Sequence, residues 1–177
     1  MLPPDEALRL VLGGVAALPP REVSLASAGG LALAADFRAA ADMPAFDNSA
    51  MDGWALRAAD AAAGGLRLSG AVMAGDCGAP LPAGQAVRIM TGARVPAGAD
   101  CVVPKELGRE EGGVLTLDGA PGLGQHIRLR GEDARAGEVL LESGRTLGSF
   151  EVAVLASQGA ARVRVVPRPR VAVVTSG

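Results

Sequence analysis

Tyrosine is absent from this chain of 177 residues, which holds one tryptophan, three phenylalanines, two cysteines and one histidine. So few aromatic rings argue against a nucleic-acid surface built on base stacking. With no Cys-x-x-Cys pair and His126 alone, the ligands of an ordinary zinc site are missing. Cys77 and Cys101 read as free, reduced packing residues. No uncharged apolar run approaches the roughly 20 residues that span a bilayer. The opening residues Met1 to Glu6 carry no basic stretch of the kind that begins a secretory signal. A cytoplasmic location with neither a membrane nor a nucleic-acid partner is expected. The net charge of −2 gives no global attraction to polyanions, so charge must act locally.

About half of the chain (49%) is apolar, much of it Ala and Val, so a core of small and β-branched side chains can form. The 25 glycines and 12 prolines follow no period and read as ordered turns between strands.

Residues 5–18 have the spacing of an amphipathic helix, with Leu8, Val11, Leu12 and Val15 on one side and Pro19-Pro20 as the stop. A second short helix is expected over 24–35, weakened by Gly29-Gly30. From residue 41 short apolar stretches alternate with turns: Leu66 to Met73, Ala86 to Met90, Cys101 to Pro104, Val114 to Leu117 and Gln125 to Leu129. That spacing predicts a small sandwich or barrel. Helical spacing returns at 148–159, then Arg162 to Val166 alternates as a half-buried strand. Val171 to Val174 reads as a buried strand opening an α/β domain. A lone strand of that kind lacks a neighbour, so the chain is expected to be a fragment.

The expected fold class is α+β. An elongated domain is assigned to 1–40 plus 139–167, an inserted β-domain to 41–138, and the first strand of an otherwise missing α/β domain to 168–177.

Three segments can carry chemistry. Asp47-Asn48-Ser49-Ala50-Met51-Asp52-Gly53 concentrates two carboxylates, an amide and a hydroxyl, which suits a hard cation or equally an Asx-turn. It is not an EF-hand, because Met51 and Ala58 stand where ligands are needed. In Arg88-Ile89-Met90-Thr91-Gly92-Ala93, a strand end with a hydroxyl and backbone N–H groups suits an oxyanion or a plain hairpin loop closed by Pro96-Ala97-Gly98. In Arg128-Leu129-Arg130-Gly131-Glu132-Asp133, two guanidiniums beside two carboxylates suit an anion bridged by a cation, or a solvated ion-pair cluster. Serine-hydrolase and dinucleotide signatures are missing. His126, in a Gly/Gln turn, reads as an exposed bystander.

Taken together and in this order, the three segments resemble the molybdopterin molybdenumtransferase family, which includes the C-terminal region of gephyrin. The likeness runs from Glu22 to Gly177. Trp54 stands where the family usually has Tyr, and Val173 to Gly177 resembles the lead-in to its Gly-Asp-Glu-Leu turn. The resemblance implies insertion of molybdenum from molybdate into adenylated molybdopterin, with adenylate released by cation-dependent hydrolysis. It implies catalytic roles for Asp52, Thr91, Arg128 and Asp133, cofactor contacts from Ser49, Gly92 and Arg128, and magnesium held by Asp52 and Asp133. It further implies a homodimer whose active site is shared between subunits. The chain alone is expected to be inactive. The rival is a non-catalytic dimerisation and assembly module. A stand-alone oxyanion-binding β-domain is a third reading, which calorimetry with molybdate would expose; against it, weak or no molybdate binding by the chain alone is expected.

Overall fold

A computed structural model describes residues 2–175. In chain order the elements are α1 (Pro4–Gly13), β1 (Arg21–Ser24), β2 (Ala32–Leu33), β3 (Phe37–Arg38), β4 (Asn48–Ser49), β5 (Gly53–Leu56), β6 (Leu66–Val72) and β7 (Gln85–Ile89). They continue with β8 (Cys101–Pro104), β9 (Gly108–Glu111), β10 (Val114–Leu117), β11 (Ile127–Arg128), β12 (Val139–Leu141), α2 (Ser149–Ser157) and β13 (Arg162–Val166). Among the described residues the fold is mixed α/β, mostly sheet with two α-helices. It divides into two compact units: Met1–Ala40 with Gly137–Gly177, and Ala41–Ala136.

In the first unit, β13 lies between β1 and β2 in an antiparallel sheet, and β12 pairs with β3. Ala28, Leu31, Leu33, Leu147, Leu155, Val163 and Val165 form its core. The helix expected over 24–35 is instead β1, a 3-10 turn at Leu25–Ser27 and β2. Gly30 sits at φ 73°, which a helix does not tolerate, and β13 offers strand partners that outweigh a weak helical propensity. The first helix stops at Gly13 rather than residue 18, because Gly13-Gly14 withdraws helical support before the prolines are reached. Its apolar side, Leu8, Val11 and Leu12 with Val15 beyond, is exposed. Residues 171–175 are exposed coil, not the buried strand expected there, since no neighbouring strand takes up their backbone groups. Ser176 and Gly177, the end of that expected strand, lie outside the described residues.

The start of α2 makes a measurable prediction. Glu151 Oε2 accepts the Gly148 N–H at 2.9 Å, and Oε1 accepts from Arg145 Nη2 at 2.7 Å and Nε at 2.9 Å. The Arg145 guanidinium and the backbone N–H groups hold the carboxyl below its ordinary value of 4.5. A depressed folded-state value means that the stabilisation is full above 4.5 and is lost as pH falls through the lowered value. Glu151→Gln is expected to flatten the acid limb of the thermal midpoint against pH in the window between 4.5 and that lowered value. Parallel limbs for the two proteins would show that this cap does not titrate with folding.

The second unit is built on a six-stranded sheet in the order β8-β5-β7-β6-β10-β9. The β5 strand is antiparallel to both neighbours, whereas β6 and β7 run parallel across the crossover 73–84. The two edge strands, β8 and β9, are consecutive in the chain and joined only by Lys105–Leu107. Four residue steps reach at most about 14 Å, whereas five interstrand gaps in a flat sheet would separate the edges by about 24 Å. The sheet therefore curls into a half-barrel. Alternation along β5, β7 and β8 sends Trp54, Leu56, Ala86, Cys101 and Val103 to one core cluster and Ala55, Val87, Ile89 and Val102 to another. Because both faces are covered, β5 is buried throughout and shows no polar alternation. Burial pushes the Cys101 thiol up to about 12, so it is an inert packing group, while Cys77 is exposed.

Beside this sheet β4 pairs with β11, Ser49 opposite Ile127 and Asn48 opposite Arg128. The strand expected over 125–129 shrinks to two residues, because the chain turns at Gly124 and His126 takes a positive φ of 56°.

Candidate functional site at the mouth of the curled sheet

At one end of β5 the ladder sets Gly53 opposite Ile89 of β7 and Pro104 of β8. One step further, the Lys105 N–H donates to the Asp52 carbonyl at 3.1 Å. Period-two alternation then puts the side chains of Asp52, Trp54, Arg88, Met90 and Lys105 on one face. With Gly53 they line a pocket of about 240 Å³ at the mouth of the half-barrel.

Asp52 is held by one residue from the loop after β7. Its Oδ1 accepts both the Thr91 backbone N–H, at 2.8 Å, and the Thr91 hydroxyl, at 2.7 Å. These two bonds, with the nearby Lys105 charge, hold its carboxyl below the usual range, so Asp52 is an anion at neutral pH. Among the described residues Oδ2 has no hydrogen-bond partner.

Ser49 and Gly92, expected to touch the cofactor, are committed within the protein. Ser49 is buried, and its hydroxyl donates to the Met51 carbonyl at 2.6 Å. Its N–H donates to Ala93 O at 3.0 Å and its carbonyl accepts the Gly92 N–H at 2.8 Å. These groups hold β4 against the Thr91 loop and leave neither N–H for an anion, because backbone groups at this depth must be paired.

Across β4 lies the second polar centre. Arg128 Nη2 donates to Asp133 Oδ1 and Oδ2 at 2.7 and 2.6 Å, and its Nε donates to Glu132 Oε1 at 2.7 Å. The Asp133 and Glu132 carboxylates push the guanidinium above its ordinary value. Arg130, expected on the same face as Arg128, sends its guanidinium to a different carboxylate: Arg130 Nε donates to Asp42 at 2.6 Å. Asp47 accepts the Arg130 backbone N–H at 2.7 Å and braces the loop.

The structure thus joins Asp52 with Thr91, and Arg128 with Asp133. Among the described residues no hydrogen bond or ion pair links one pair to the other; β4 lies between them. No group of three His, Cys, Asp or Glu residues converges among the described residues. Magnesium is ordinarily held by one or two carboxylates, waters and substrate phosphates. Asp52, with one free oxygen, fits such an open site. Asp133 accepts from Arg128 Nη2 through both oxygens, each of which keeps a further lone pair.

Sequence reasoning passes over three members of the pocket. Lys105 is the only lysine in the chain. Arg88 is visible only as part of a strand motif. Trp54 is 7% exposed, and its indole N–H is a buried donor without an acceptor among the described residues, a deficit of about 1–3 kcal/mol. Strand parity from Asp52 to Trp54 and from Val103 to Lys105 is the signal within the sequence. The strand register needed to use it is not there.

Residues 2–159 match the family model described as MoeA N-terminal region (domain I and II). The molybdopterin molybdenumtransferase of Staphylococcus aureus strain N315 is 36% identical over 183 aligned positions, covering 99% of this chain and 44% of that protein. Molybdopterin molybdenumtransferase 2 of Mycobacterium tuberculosis strain H37Rv is 38% identical over 187 positions, covering 98% and 44%. The crystal structure of the molybdopterin biosynthesis moeA protein from Pyrococcus horikoshii OT3 superposes with a TM-score of 0.86 at 34% identity, covering 93% of this chain and 46% of that one. The chain spans under half the length of the curated relatives it matches. The sheet, the loops that carry Asp52, Thr91 and Arg128, and these likenesses lead to one conclusion: the chain belongs to the MoeA N-terminal family, the region of domains I and II.

Proposed function

We propose that this chain supplies one wall of a site that inserts molybdenum from molybdate into adenylated molybdopterin, in the biosynthesis of molybdenum cofactor. The observation that carries this reading is the clasp of Thr91 on Asp52 at the mouth of the half-barrel. Two donors on Oδ1 fix the carboxylate in one orientation and leave Oδ2 turned to an incoming group. Magnesium bound there would screen the substrate phosphates and ease loss of the adenylate. Asp52 holds the negative charge, and Thr91 sets its direction. Arg128 is the anion-binding group. Its Nε and Nη2 are taken by Glu132 and Asp133, which leaves Nη1 to an oxyanion. Asp133 acts through Arg128 as a positioning residue. The two compact units are read as the elongated domain and the inserted β-domain.

A homodimer with a shared site belongs to the same proposal. The exposed aliphatic side of α1 is a surface that association would cover, and it equally favours the rival reading of an assembly module. The reading is tested with the whole gene product. Magnesium-dependent incorporation of molybdate by a species that sediments as a dimer is expected, with none by the 177-residue chain alone. A whole gene product that forms dimers but incorporates no molybdenum would leave only the assembly module standing.

A further inference from the structure

We propose that the mouth of the half-barrel is an oxyanion subsite in which Lys105 and Arg88 grip one tetrahedral group, a phosphoryl or a molybdate. The proposal rests on the reading above, because it sets this anion beside a cation held by Asp52.

Three features point to an anion. Lys105 stands across the ladder from Asp52, within the distance at which opposed side chains interact. Among the described residues its ammonium makes no salt bridge or hydrogen bond. Arg88, across from Trp54, is steadied by Glu110, whose Oε2 accepts from Nε at 2.9 Å and from Nη2. Nη1 is left without a partner among the described residues. Trp54 lines the same pocket.

The balance of charge points the same way. Asp52 and Glu110 offset Lys105 and Arg88, so the pocket's own side chains sum to zero. A divalent cation on Asp52 leaves an excess of positive charge at the mouth, which a doubly charged tetrahedral anion neutralises. The chain has a single lysine and 16 arginines, so an ammonium is the exception here. A compact point charge suits an anion that must bind and leave, whereas a planar fork holds a carboxylate in fixed geometry.

Trp54 is the only tryptophan, so its fluorescence reports on this pocket alone. The 177-residue chain is titrated with sodium pyrophosphate and, separately, with sodium molybdate, each with and without magnesium chloride. A saturable change in emission at millimolar anion is expected, weakened at least tenfold by Lys105→Met and about fivefold by Arg88→Gln. A response to pyrophosphate assigns the subsite to phosphoryl groups, and a response to molybdate alone assigns it to molybdate. No saturable change with either anion, or identical titrations of wild type and Lys105→Met, overturns the proposal. Failure of the underlying reading looks different. The anion still binds and still needs Lys105, but neither magnesium nor Asp52→Asn alters its affinity.

Discussion

Asp52→Asn in the whole gene product is expected to lower the rate of molybdenum insertion at least 100-fold, with fold and dimer intact. The substitution keeps the size of the side chain and an oxygen that can accept both Thr91 donors. It removes the charge that Thr91 and Lys105 stabilise in the folded protein. A 100-fold loss corresponds to about 2.7 kcal/mol of transition-state stabilisation. Thr91→Val, which removes only the hydroxyl bond to Oδ1, should fall between the variant and the wild type. Insertion is measured with adenylated molybdopterin and molybdate, and folding by thermal melts and sedimentation. A fully active Asp52→Asn protein would end the catalytic assignment of the clasp and favour the assembly module.

The second large effect concerns stability. Gly53→Ala should destabilise the second unit by about 3 kcal/mol or more, a fall of roughly 12 °C or more in its thermal midpoint. The backbone at Gly53 is ordinary extended strand, so conformational strain is not the cause. The cause is space: an added Cβ would sit 1.9 Å from the Val103 carbonyl oxygen and 3.0 Å from Pro104 Cα. Both are backbone atoms of β8, and no rotamer change moves them aside. To admit a methyl group, β8 must withdraw from β5, which breaks the ladder that sets Lys105 opposite Asp52. A midpoint within about 2 °C of wild type would show that β8 yields easily and that the close approach is not required. The same variant should also lose the Trp54 response to anions, because Trp54 pairs with Val103 in that ladder.

How legible these features are in the sequence depends on whether the signal is local. Leu66 to Met73, Val114 to Leu117 and Arg162 to Val166 are expected as strands, and strands form at Leu66–Val72, Val114–Leu117 and Arg162–Val166, since β-forming residues bounded by turns carry their own punctuation. The β5 strand escapes a reading of the sequence, although it organises the site. It is apolar on both faces and opens with the loop motif that draws attention to Asp52, so period-two alternation never shows. The α-helix expected over 24–35 fails for the opposite reason. Its local spacing is adequate, but β13, some 130 residues away, supplies better partners.

Site residues divide in the same way. Asp52 and Thr91 stand out within short motifs, and the fold brings them into contact. Ser49 and Gly92 stand out equally, yet their polar groups are consumed in stitching β4 to the neighbouring loop. Asp133 stands out as a carboxylate, and once folded both its oxygens accept from Arg128 Nη2. A carboxylate in a sequence says nothing of whether its oxygens are free. That depends on which cation the chain delivers to it.

The sequence by itself determined the family and the mixed α/β character, because these reside in short runs of side chains and in their order. Only the tertiary structure decided which of the candidate residues meet. Cross-strand register aligned Lys105 with Asp52, the curl of the sheet made a pocket of its mouth, and the hydrogen-bond inventory separated open oxygens from spent ones. Each of these depends on pairings between residues tens of positions apart, whose free energy exists only when the whole sheet has closed.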